Sequence, residues 1–104
     1  MIKQAIIPLA GLGTRLLPLT SVFAKELLPI NGKPGIEYIL DECIDAGIKE
    51  IIFIISKKKI MIKNYFYNDI FYKNIIKRKK DPRIIAEYKK ILKYKKMIKF
   101  VFQD

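Results

Sequence analysis

The residues best equipped to do chemistry gather near the N-terminus. An apolar run, Ile6-Ile7-Pro8-Leu9, leads into Ala10, Gly11, Leu12, Gly13, Thr14 and Arg15, and Lys25 comes ten residues after the arginine. Two glycines one residue apart permit backbone angles that other residues avoid, so the turn can aim successive N–H groups at an anion. Thr14 adds a hydroxyl, and Arg15 adds a planar cation with five donors that suits phosphoryl oxygens. The chemistry expected is the gripping of a phosphate chain. A Gly-x-Gly pair is a weak signal by itself. It gains weight here from its place at the end of an apolar strand and from the two cations that follow.

Positioning such a turn requires a sheet. The pattern predicts a strand over 3–9, a functional loop over 10–33, a helix over 35–46 and a second strand over 49–55. In the helix, Ile36, Ile39, Leu40, Cys43 and Ile44 form one apolar stripe, with Pro34 suited to the first turn and Gly47 to the position after the last. Glu37, Asp41, Glu42 and Asp45 are expected to face water mostly. Strand, helix and strand then close as a parallel crossover, with the glycine turn at the carboxyl end of the first strand, the edge where such sheets bind ligands.

The second half predicts a basic helix from Lys57 towards Phe66, a break at Asp81-Pro82, a helix from Arg83 to about Lys93, and a third strand over Met97 to Phe102. Tyr65, Phe66, Tyr67, Phe71 and Tyr72 cluster before the break. They are read as helix-packing residues, with base stacking as the alternative. No internal repeat, Gly/Ser-rich linker or internal boundary interrupts residues 1–104, which read as one incomplete α/β domain.

Charge divides the chain in two. Residues 1–56 carry five basic and six acidic side chains, whereas residues 57–104 carry sixteen basic and four acidic. Lys57-Lys58-Lys59 and Lys77-Arg78-Lys79-Lys80 could form a footprint for nucleic acid, which needs clustered cations. Against that, isoleucine and lysine supply 39 of 104 residues, a compositional bias that requires no selection for binding. The single cysteine, Cys43, forms no intramolecular disulfide, and there is no histidine to build a zinc site. Ile51 to Ile55 is the kind of short apolar run that falls far below the roughly 20 residues of a membrane span. The start, MIKQAIIPLAGLG, could pass for a weak signal peptide, but a single lysine, a proline within the apolar run and no convincing small-residue cleavage site favour a buried first strand. A cytoplasmic protein without membrane contact is expected.

The string AGLGTRLLP, followed by KELLP, KP and IEY, resembles the opening of the sugar-phosphate nucleotidyltransferases, and the resemblance continues through DECIDAGIKEIIF. It is strongest over residues 1–56. Leu12 between the glycines and Glu26 after Lys25 resemble the bacterial uridylyl-transferring branch rather than the thymidylyl one. The resemblance implies a Rossmann-like, three-layer α/β/α sheet, here truncated to its N-terminal part. It also implies uridylyl transfer from UTP to glucose-1-phosphate, giving UDP-glucose and pyrophosphate. By the same resemblance Arg15 holds the phosphates that leave, and Lys25 contacts phosphoryl groups near the reaction centre. Ala10 and Gly11 lie against uracil and ribose, and Gln103 reads the base. Catalytic Mg2+ would be held by aspartates outside these 104 residues.

The sequence departs from the family pattern in places. Ala24 stands where proline usually precedes the lysine, Gly32 replaces an aspartate, Glu37 replaces glutamine and Asp104 replaces glycine. Alanine at position 24 is expected to leave Lys25 less preorganised. Three readings stay open: part of a uridylyltransferase, a nucleotide-binding fragment without catalysis, and a basic nucleic-acid module. Homo-oligomerisation through the helices is also left open.

Overall fold

The computed structural model describes residues 3–9 and 24–103. Three parallel strands form the sheet: β1 (Gln4–Pro8), β4 (Glu50–Ile55) and β5 (Ile98–Phe102), in the order β1-β4-β5 with β4 in the centre. Register aligns Ala5, Ile51 and Ile98 in one row and Ile7, Phe53 and Phe100 in the next. Alternate residues of a strand point to opposite faces, so these rows belong to one face, which the helices cover. Ile51, Phe53, Ile55 and Ile98 pack there with Ile36, Leu40, Ile62, Phe66, Ile91 and Tyr94 from the helices. The opposite face carries Ile6, 60% exposed, and Val101, 49% exposed. The described residues thus supply the parallel sheet and one helical layer of the expected α/β/α arrangement.

Within the expected loop, residues 29–34 form a small antiparallel hairpin, β2 (Pro29–Ile30) and β3 (Lys33–Pro34). Its turn is Asn31-Gly32, with φ of 51° and 78°. Positive φ at both central residues gives the two-residue turn whose twist suits a hairpin, and Asn-Gly is its preferred sequence.

Helix α1 (Gly35–Asp45) follows directly, with Pro34 as its N-cap. Its C-terminus closes through Gly47 at φ 83°, where Gly47 N–H donates to the Ile44 carbonyl and Ile48 N–H to the Cys43 carbonyl. Those two bonds satisfy carbonyls the helix itself leaves unpaired. Ile36 and Leu40 are fully buried, as the apolar stripe requires. Glu37 departs from the expected water-facing set. It is only 1% exposed, because the Tyr65 hydroxyl donates to its Oε2 and Lys90 lies 3.1 Å from its Oε1.

The basic helix begins as a 3-10 turn, Lys57–Lys59, and continues as α2 (Ile60–Tyr67). A separate helix, α3 (Asp69–Arg78), occupies the stretch read only as an aromatic cluster before the break. Helix α4 (Pro82–Met97) begins where expected and runs past Lys93 to meet β5 directly. Asp81 caps α4: its carboxylate accepts from Arg83 N–H at 2.9 Å, and Pro82 takes the first turn, where no N–H is needed.

The aromatic residues divide between core and surface. Phe66 is fully buried and meets Tyr65, Tyr94 and Phe100 at ring-centroid distances of 5.0, 6.4 and 6.3 Å. Tyr72 stacks on Tyr88 at 5.1 Å, joining α3 to α4, whereas Tyr67 and Phe71 remain exposed. Packing is therefore the role of Phe66, Tyr65 and Tyr72.

Two aspartates tie distant elements together and set an acid limit on the fold. Burial pushes the Asp41 carboxyl up, but hydrogen bonds from Lys33 and Tyr94 outweigh it and hold it below the ordinary 3.8. Asp69 is held below 3.8 by its hydrogen bond from Lys95, with Tyr88 adding a second. A carboxyl whose pKa is lowered by folding stabilises above its unfolded pKa and loses that contribution as pH falls through the folded value. Thermal melts followed by circular dichroism are thus expected to show these contributions intact from neutral pH down to about pH 5 and lost below about pH 4. In Asp41→Asn the deficit in Tm relative to the parent is expected to shrink across that lower window. A deficit that stays constant down to pH 2 would contradict the assignment.

Candidate functional site

The carboxyl ends of the three strands meet at one edge. Leu9, just past β1, donates its N–H to the Ile54 carbonyl at 2.9 Å, and Gln103, just past β5, donates its N–H to the Ile55 carbonyl at 2.8 Å. Leu9 is buried and Gln103 is exposed. A parallel sheet gathers ligands at this edge, because the strands end there and loops can be spread around the opening.

The turn that carries Lys25 is attached to the segment leaving β4. Lys25 opens this 3-10 turn, Lys25–Leu27, and its own side chain is exposed. The next residue, Glu26, is buried, and both its oxygens accept from Lys59 Nζ, at 3.1 and 2.8 Å. Lys59 ends the 3-10 turn that follows β4, and its N–H donates to the Ser56 carbonyl at 3.0 Å. The lysine-bearing turn is therefore tied to the end of the central strand.

Ala24 adds a second attachment. It is buried at φ −65°, the angle a proline would impose. Its N–H, which proline would lack, donates to the Met61 sulfur at 2.9 Å. At Ala24 the backbone thus holds a proline-like φ, and its N–H contacts α2. On the far side, Gly35 N–H donates to the Leu28 carbonyl at 3.3 Å, joining the turn to α1.

Of the site residues expected from sequence, Gln103 lies just past the carboxyl end of β5, and Lys25 sits on a turn attached through Glu26 and Lys59 to the segment that follows β4. Ala10, Gly11, Leu12, Gly13, Thr14 and Arg15 lie outside the described residues. Reasoning from sequence missed the Glu26–Lys59 pair, for which no local signal exists at a separation of 33 residues. It also missed the hairpin, although Asn31-Gly32 is a direct signal for one.

A metal finds no ready set of donors among the described residues, where no group of three or more His, Cys, Asp or Glu side chains converges. The buried or half-buried carboxylates are matched to cations instead: Glu26 to Lys59, Glu37 to Lys90, Asp41 to Lys33 and Asp69 to Lys95. These paired groups do not fit a divalent cation.

A family model described as nucleotidyl transferase matches residues 4–71, and the chain belongs to that family. Among curated relatives, the UTP–glucose-1-phosphate uridylyltransferase of Mycoplasma pneumoniae is 46% identical over 90 residues, covering 86% of this chain and 31% of the relative. The enzyme of the same name from Escherichia coli K12 is 39% identical over 90 residues, covering 86% of this chain and 30% of its own length. Among solved structures, a UTP-bound UGPase from Acinetobacter baumannii superposes with a TM-score of 0.87 at 36% identity, over 99% of this chain and 36% of that one. The chain thus spans about a third of the length of the relatives it matches.

The buried Glu37 carboxylate is the second anchor of this region, since it holds α1 against α2 and α4. Burial and the adjacent Glu37 both push the Tyr65 hydroxyl far above its ordinary value, so the phenol stays protonated and donates. Tyr65→Phe removes that donor while keeping the ring. The expected loss is about 1.5–3 kcal/mol, the range for a hydrogen bond to a charged group, read by urea denaturation at neutral pH. A loss below about 0.5 kcal/mol would show that Lys90 alone satisfies the carboxylate.

Proposed function

We propose that residues 1–104 are the N-terminal, nucleotide-binding part of a single nucleotidyltransferase domain that transfers uridylyl from UTP to glucose-1-phosphate. In that reaction an oxygen of the sugar phosphate attacks the α-phosphorus of UTP, the bond to the β-phosphate oxygen breaks, and pyrophosphate leaves with UDP-glucose formed. The barrier is largely electrostatic, because two anions must approach and charge builds on the leaving oxygens. The observation that carries the reading is the attachment of the Lys25 turn, through Glu26 and Lys59, to the segment that leaves the carboxyl end of the central strand of a parallel sheet. Membership of the family and likeness to a UTP-bound structure support it.

In this reading Arg15 grips the β- and γ-phosphates, and Lys25 acts as a point charge near the reacting phosphorus. Gly11, Leu12, Gly13 and Thr14 form the anion-binding turn, and main-chain groups of Ala10 and Gly11 lie against uracil and ribose. The Gln103 amide donates and accepts at the uracil edge. Mg2+ would be held by carboxylates outside residues 1–104 and would neutralise phosphate charge when bound. No helix among the described residues is long and apolar enough to cross a membrane, and a cytoplasmic setting suits the substrates.

A second reading concerns the 104 residues alone: they bind the nucleotide without completing transfer. The commitment of the buried carboxylates Glu26 and Glu37 to lysines favours it.

Calorimetric titration of the chain with UTP and Mg2+, beside Arg15→Ala, tests both, with a parallel assay for UDP-glucose. UTP binding that weakens about tenfold or more in the variant, as expected for a lost charged contact, with no product, is the expected result. Absence of UTP binding by a demonstrably folded chain would overturn the nucleotide reading. Product formed by the chain alone would overturn the second one.

A further inference from the structure

We propose that Glu26 and Lys59 are positioning residues that hold Lys25 at the nucleotide site, an inference that rests on the nucleotide-binding reading above. Three observations converge. The pair is internal: the side chains of Lys59 and Glu26 are 8% and 7% exposed. It is also fully engaged, since one ammonium bridges both carboxylate oxygens at 3.1 and 2.8 Å. Finally, it joins two short 3-10 turns far apart in sequence, one carrying Lys25 and the other leaving the carboxyl end of β4.

The arrangement separates two tasks between neighbours in the chain. Glu26 and Lys25 are consecutive, yet Glu26 is buried and Lys25 is exposed. The buried residue therefore sets the direction of the turn, and the exposed one is left to meet the ligand. A lysine held as a flexible point charge loses side-chain freedom on binding. Fixing its backbone in advance reduces what remains to be ordered, which raises affinity without any new contact to the ligand. Because a buried ion pair contributes little net stability compared with apolar residues of the same shape, stability alone gives a weak reason for its presence. Placement of the turn gives a direct one.

The test uses Glu26→Gln combined with Lys59→Met, which removes both charges but keeps their shapes, so that neither is left buried and unpaired. Lys25→Ala and the triple variant complete a cycle. Amide hydrogen exchange reports the turn through Leu27 and Leu28, whose N–H groups donate to the Ala24 and Lys25 carbonyls at 3.0 and 3.2 Å. Calorimetry reports UTP affinity.

In the double variant, exchange at Leu27 and Leu28 is expected to accelerate about tenfold while β4 amides stay protected, and UTP affinity is expected to fall about tenfold. Adding Lys25→Ala to it should cost nothing further, although Lys25→Ala alone costs about tenfold. Turn exchange unchanged from the parent, or affinity losses that multiply in the triple variant, would overturn the positioning role. If the turn loosens as expected but Lys25→Ala leaves UTP affinity untouched, the assignment of Lys25 to the nucleotide fails, and positioning falls with it for that separate reason. Should the double variant not fold, the exchanged pair Glu26→Lys with Lys59→Glu decides the matter. Near-parent exchange and affinity support the proposal, and a folded exchanged pair with weakened UTP binding and parent-like turn exchange overturns it.

Discussion

The structure depends on the burial of one face of a single central strand. β4 places Ile51, Phe53 and Ile55 on the covered face, each at most 1% exposed, and each such side chain contributes about 1.5–3 kcal/mol when fully buried. The flanking strands extend that surface by register, and every helix that reaches the core does so from this side. Phe66 sits at the junction, in contact with rings from α2, α4 and β5. The position of the site follows: parallel strands all end at one edge, and the residues that leave those ends, Gln103 and the turn ending at Lys59, are delivered there by the strands themselves. The uncovered face carries Ile6 and Val101 in the open. A chain spanning about a third of its relatives' length, with only one helical layer among its described residues, matches that picture of a partly covered sheet.

Elements governed by local periodicity were legible in the sequence. The stripe on α1, the β-branched run of β4, the Asp81-Pro82 start of α4 and the final strand all come from short-range pattern, and the structure differs at their ends by a few residues. Where the reading fell short, a longer-range or competing term decided. The mixed apolar and lysine sequence of α3 gives no clean stripe, and its residues include no fully buried side chain, so packing on α4 rather than a strong amphipathic pattern defines it. Glu37 was assigned to solvent on helical position alone. Its burial depends on Tyr65 and Lys90, 28 and 53 positions away, and no rule of local spacing connects them. For the candidate site, the position of Gln103 after the last strand was legible from the strand pattern, but the attachment that holds the Lys25 turn was invisible for the same reason.

Glu37 also shows how a residue that departs from the resembled pattern is accommodated. Glutamine there would be neutral, whereas the glutamate brings a charge into a fully buried position. An unpaired carboxylate in that place would be strongly unfavourable. It is instead met by a tyrosine hydroxyl on one oxygen and a lysine on the other. Ala24 shows the same pattern, with its freed N–H taken up by the Met61 sulfur and its backbone at the proline angle. Both residues have specific partners in the fold.

The uneven charge of the chain acquires a structural meaning from the same contacts. The first half is slightly acidic and the second strongly basic, and the two are joined across the fold: Glu26 to Lys59, Glu37 to Lys90 and Glu50 to Lys99. In each case the carboxylate lies in the first half and the lysine in the second. Surface pairs of this kind contribute about 0–1 kcal/mol, so Glu50–Lys99 adds little, but the pairs that are partly or wholly buried fix which elements meet. Lys59 thereby leaves the basic run in which it was counted, since it faces Glu26 inside the protein rather than a polyanion outside it. Lys57 and Lys58 stay exposed, as does the run from Lys77 to Lys80 at the end of α3, remote in sequence from the candidate site. The basic half of the chain is in part the counter-charge to the acidic half, and its compositional excess is carried by solvent-facing lysines.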